Sequence, residues 1–61
     1  MIQPEYLDTR ETGELVGLSP ETLKVRRRLG SGPPFIKMGR TIRYKREDVI
    51  AWMDAQRVGG K

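Results

Sequence analysis

Asp8-Thr9-Arg10-Glu11-Thr12-Gly13-Glu14-Leu15-Val16-Gly17-Leu18-Ser19-Pro20-Glu21-Thr22-Leu23 holds two helix starts with a helix stop between them. Asp8 and Glu11 have the spacing of a capping box, in which each side chain serves a backbone N–H of the other's turn. Leu15 and Val16 supply the apolar stripe of this first helix, and Gly17 ends it. Ser19-Pro20-Glu21 then opens a second helix. Ser19 is its N-cap, Pro20 stands where a missing N–H costs nothing, and Glu21 lies near the positive end of the dipole. Only Gly17-Leu18-Ser19 separates the two, so the connection is a tight helix-turn-helix. Gly13 inside the first helix costs about 1 kcal/mol relative to Ala. The expected compensation is close approach by the second helix.

Toward the C-terminus, the second helix runs to about Leu29 and stops at Gly30, before the loop Ser31-Gly32-Pro33-Pro34. Its inward positions after Leu23 are Arg26 and Arg27 rather than apolar groups. Burial is therefore expected for Thr22, Leu23, Leu29 and the aliphatic stem of Arg26. Lys24, Val25, Arg27 and Arg28 are left to face something polar. Phe35-Ile36-Lys37-Met38 and Ile42-Arg43-Tyr44 read as the strands of a β-hairpin around Gly39-Arg40-Thr41. A two-residue Gly-Arg loop suits a type II′ turn and pairs Lys37 with Ile42. A three-residue loop instead places Ile36, Met38, Ile42 and Tyr44 on one face and Lys37 and Arg43 on the other. Patterning favours the second, because a one-residue slip moves the apolar set into water. Arg46-Glu47-Asp48 opens a third helix with Val49, Ile50, Trp52 and Met53 as its stripe, through about Gln56. Trp52 is expected in the core. Residues 57–61 read as a frayed tail.

The chain has 61 residues, no Cys and no His, with a formal net charge of +4. This length fits one small domain, with a core over 6–56 and no disulfide or thiolate metal site to hold it. Lacking His, it lacks the commonest general acid/base and metal ligand, and no metal or cofactor is expected. Glu47 and Asp48 are adjacent on a helix and do not face each other, and dipole compensation explains them, so the enzyme reading is set aside. No apolar run approaches a membrane span, and Met1-Ile2-Gln3-Pro4 lacks the layout of a signal peptide, so a cytoplasmic protein is expected. The charge is unevenly placed. Residues 1–18 carry one basic and four acidic side chains, residues 19–46 nine and one, and residues 47–61 two and three. A basic block on the second helix and the hairpin implies a polyanionic partner.

Helix, turn, helix and hairpin with a charged tip is the order of a winged helix-turn-helix, mainly α with a small β-hairpin. In it the second helix enters the major groove and the wing touches the neighbouring backbone or minor groove of duplex DNA. Over residues 6–56 the sequence also resembles the excisionase and phage-type DNA-binding domains of the MerR-like winged-helix group. The resemblance is carried by Tyr6-Leu7, Glu14-Leu15-Val16-Gly17-Leu18-Ser19-Pro20, Thr22-Leu23, Gly32-Pro33-Pro34-Phe35-Ile36-Lys37-Met38-Gly39-Arg40, Arg43-Tyr44, Arg46-Glu47-Asp48-Val49 and Trp52. Family members usually carry Ala where this chain has Thr12 and Gly13, and commonly Trp at the position of Arg26. The resemblance implies an accessory factor that bends or organises DNA for a recombinase (an integrase), or a small prophage or integrative-element regulator.

Glu21, Thr22, Lys24, Val25 and Arg28 are the candidates for base edges: Lys or Arg to guanine, Glu to a cytosine amine, Val or Thr methyl to a thymine methyl. Arg26 and Arg27 are placed on phosphates, or else on a solvated face. Ser19 and the N-terminal backbone of the second helix can hold a phosphate, or Ser19 serves as a cap alone. In the wing, Arg40 suits a narrow minor groove, and Lys37 and Arg43 the strand beside it. One short helix and one wing bury only about 600–1,000 Å², so several copies are expected along the DNA. A basic module acting on the recombinase alone is the reading from a different class.

Overall fold

The computed structural model describes residues 5–59. Asp8 opens the first helix, α1 (Thr9–Val16), through the expected capping box. The Glu11 N–H donates to Asp8 Oδ1 at 2.7 Å and the Asp8 N–H to Glu11 Oε1 at 2.9 Å. Gly17 closes α1 with φ at 79°, in the left-handed region that favours glycine. Both the Gly17 and Leu18 N–H groups donate to the Gly13 carbonyl. A Cβ at Gly13 would run into the Leu18 carbonyl oxygen and touch Leu23 Cδ1 at 3.6 Å. The compensation for a mid-helix glycine is thus close packing, shared between the turn itself and the second helix.

That helix, α2 (Pro20–Leu29), is capped by Ser19, whose Oγ accepts from the Thr22 N–H at 3.1 Å. Gly30 ends it in the left-handed region, with its N–H and that of Ser31 returning to the last turn. Leu29 is 69% exposed, contrary to the expectation that α2 buries it. At about 100° per residue it lies some 120° around the helix from Leu23, so the two cannot share one buried stripe.

Three strands form one antiparallel sheet in the order β1 (Tyr6–Leu7), β3 (Thr41–Lys45), β2 (Ile36–Met38). The strand β1 is an addition to the expected hairpin. It pairs Tyr6 with Lys45 and Leu7 with Tyr44, and the Glu5 carbonyl then accepts from the Arg46 N–H at 2.8 Å. This last bond satisfies one of the open donors at the start of α3 (Arg46–Ala55), whose N-cap residue Lys45 makes no side-chain cap bond.

The hairpin takes the register that patterning disfavoured. Ile36 pairs with Arg43, Lys37 with Ile42 and Met38 with Thr41, around a two-residue Gly39-Arg40 turn. Gly39 has φ of 62° and Arg40 a negative φ, the combination a type II′ turn requires. Turn chemistry outweighs burial here: Ile36 and Met38 stay 40% and 55% exposed on the outer face, where they line a shallow hollow with Tyr6 of β1. Lys37 and Arg43 consequently stand on opposite faces of the wing, not on one basic face.

The core draws one fully or nearly fully buried side chain from each of five elements: Leu7 of β1, Thr12 of α1, Leu23 of α2, Tyr44 of β3 and Val49 of α3. Strand β2 contributes none. Trp52 is half-buried at the rim, not enclosed in the core; the Arg26 guanidinium lies 6.0 Å from its ring centroid. Val58 and its neighbours after α3 are exposed coil, while residues 1–4, 60 and 61 lie outside the described residues, and with them the stretch read as lacking a signal-peptide layout and part of the tail. Among the described residues no helix is long and apolar enough to cross a membrane.

Candidate nucleic-acid interface

At 100° per residue, Glu21, Lys24, Val25 and Arg28 fall within an arc of about 100° on the side of α2 opposite Leu23. All four are exposed. Thr22 is half-buried at the edge of this face, and its hydroxyl bonds with that of Ser19 at 2.9 Å. Ser19 therefore spends its side chain on capping α2 and holding Thr22. Two cations, an acid and a branched apolar group remain on a rigid helix face, a set able to discriminate base edges in the major groove.

Beside that face lies an open cleft of about 500 Å³ between α2 and the wing. Lys24, Arg27 and Arg28 line it from the helix, Lys37 and Arg40 from the wing, over an apolar floor that includes Phe35 and Ile42. No acidic side chain lines it. Among the described residues the ion pairs are Arg10–Glu14 and Arg57–Asp54, both well exposed and away from the cleft. Five cations thus share one concavity with no internal counter-charge, and their mutual repulsion is relieved by a bound polyanion. The II′ register is what brings Lys37 here, since it shares its face with Ile42.

The remaining assigned residues are placed elsewhere. Arg43 lines the outer hollow with Tyr6, Ile36 and Met38, and its Nη1 donates to the Ile42 carbonyl at 2.8 Å. Arg26 projects from the other side of α2. Its Nη1 donates to the Ser31 carbonyl at 3.3 Å, its head covers Trp52, and its buried Nε has no hydrogen-bond partner among the described residues. On this side of α2 the chain thus has an Arg lying over an aromatic of α3.

Arg27 does more than a surface phosphate contact requires. Its Nη1 donates to Tyr44 Oη at 2.8 Å and to Thr9 Oγ1 at 3.2 Å, and its guanidinium lies 5.9 Å from the Phe35 centroid. Phe35 in turn meets Tyr44 with ring centroids 6.2 Å apart. The sequence gives one indirect sign of this arrangement: a Tyr on the inner face of a strand needs a partner for its hydroxyl.

A family model described as a helix-turn-helix domain matches residues 6–57. Among curated proteins none matches the chain.

Proposed function

The chain belongs to the family of helix-turn-helix domains, and from that premise we propose that it is an excisionase-like recombination directionality factor. DNA binding comes with the family; the proposed role is to bend or organise duplex DNA so that a site-specific recombinase can act on it. The observation that carries this reading is the unpaired positive cleft, continuous from the outward face of α2 to the wing tip at Arg40. A helix in the major groove and a wing on the adjacent backbone or minor groove give a two-point grip on one segment of DNA. Such a grip suits a protein that holds DNA in a bent shape. Smooth bending of 20–30 base pairs through 40–90° costs about 1–6 kcal/mol. Several copies bound side by side offset that cost better than one. The role is non-catalytic, with strand exchange left to the integrase.

The test is an excision assay with the cognate integrase on a linked attachment-site substrate, scored beside a promoter reporter. Excision is expected to require this protein and to be lost in the Lys24→Ala/Arg28→Ala double variant, with anomalous gel mobility of circularly permuted fragments reporting the bend. Excision that proceeds equally without the protein, together with a reporter that responds to it, would replace this reading with that of a small transcriptional regulator.

A further inference from the structure

We infer that Arg27 is a positioning residue that sets the angle between the wing and the recognition helix, with Tyr44 as the fixed end of the tie. The wing needs such a tie because its outer strand anchors nothing: every residue of β2 is exposed. What holds the hairpin to the helical part of the molecule is its inner strand and its root. Tyr44, in β3, has no exposed surface. Phe35 immediately precedes β2. Arg27 engages both, by the 2.8 Å bond to the Tyr44 hydroxyl and by lying over the Phe35 ring, while its second bond reaches Thr9 at the start of α1. One guanidinium on α2 thus joins both roots of the wing to both helices of the helix-turn-helix. Its planar head holds this geometry as a lysine ammonium cannot.

The chemistry of its partners matters as much as the geometry. Two hydroxyls and a ring fix the guanidinium without cancelling its charge, so Arg27 still contributes positive potential to the cleft it lines. Tie and charge are separable by substitution. Tyr44→Phe removes only the acceptor, leaving the ring and every cation in place. Arg27→Lys keeps the charge and loses the planar head whose Nη1 serves Tyr44 and Thr9 while its face lies over Phe35.

The inference rests on duplex DNA binding through the cleft, and wing contact by Arg40 reports the wing's position. Binding is measured to a mixed-sequence duplex of about 30 base pairs, some three helical turns, with folding of each variant followed by circular dichroism. In the wild-type background Arg40→Ala should weaken binding by about fivefold to tenfold, the loss of roughly one phosphate contact. In Tyr44→Phe and in Arg27→Lys, the same Arg40→Ala step should cost less than about twofold, because a misplaced wing tip has little left to lose. A merely structural Tyr44–Arg27 bond lowers the melting temperature and leaves the Arg40 step unchanged in folded protein, and that result would overturn the positioning role alone. Failure of the wild-type protein to bind the duplex would overturn the DNA-binding cleft as well. Should Tyr44→Phe unfold the chain, Arg27→Lys carries the test alone, with the same expectation and the same overturning result.

Discussion

Thr12 is a hydroxyl-bearing side chain with no exposed surface, and it is tolerated because its Oγ1 donates to the Asp8 carbonyl at 2.8 Å within its own helix. Beside it, Gly13 leaves no space for a methyl group, since the obstacle is the Leu18 backbone carbonyl rather than a mobile side chain. Gly13→Ala should therefore destabilise the fold by about 1–3 kcal/mol despite the better helix propensity of Ala. A lowered midpoint in urea with an unchanged slope would establish this, and a raised midpoint would show that the turn can move aside. On the recognition face, Lys24→Ala and Arg28→Ala should each cost about 1–3 kcal/mol against the preferred site and relax base preference, while Arg40→Ala should weaken all sequences alike. Selection of binding sites from a random pool by each variant separates the two behaviours. Arg40→Ala changing site choice while Arg28→Ala left it intact would mean that helix and wing have exchanged roles.

The helices were legible because their ends are written in local chemistry: the Asp8–Glu11 box, Ser19-Pro20, and the left-handed Gly17 and Gly30 all act within a few residues. The hairpin was harder because two local rules disagree there. Burial of Ile36 and Met38 argues for one register, and the positive φ at Gly39 for the other. A non-local element enters as well, since the two-residue strand β1 places Tyr6 on the same outer hollow as Ile36 and Met38. No pattern that short announces itself in a sequence. The register has a functional consequence that separates two similar cations. Lys37→Ala should weaken duplex binding by about tenfold at low salt, because Lys37 lines the cleft, whereas Arg43→Ala should change affinity by less than about twofold. Equal losses from both substitutions would argue for the three-residue turn and a single basic wing face.

At the scale of the molecule, the chain is divided between a small core and a charged cleft, and one helix serves both. Of the side chains of α2, Leu23 alone is fully buried, while Lys24, Arg27 and Arg28 face the cleft. The basic block over residues 19–46 was visible in the sequence, but not which of its nine cations stand together. That depends on the hairpin register, which brings Lys37 in and turns Arg43 out, and on helix phase, which sends Arg26 toward Trp52. Five cations remain in the cleft, and their number sets how binding responds to salt. Each neutralised phosphate releases condensed counterions, so log affinity falls with log salt at a slope near −0.9 per contact on duplex DNA. Engagement of all five implies a slope of about −4 to −5 per bound copy. Including Arg26 and Arg43 as phosphate contacts would steepen it to about −6. Titrations of a duplex short enough for one copy, between about 50 and 200 mM salt, distinguish these values. A slope of −4 to −5 that becomes shallower by about one unit in Lys37→Ala, and does not change in Arg43→Ala, identifies the cleft as the DNA-binding surface. A slope near zero would exclude it.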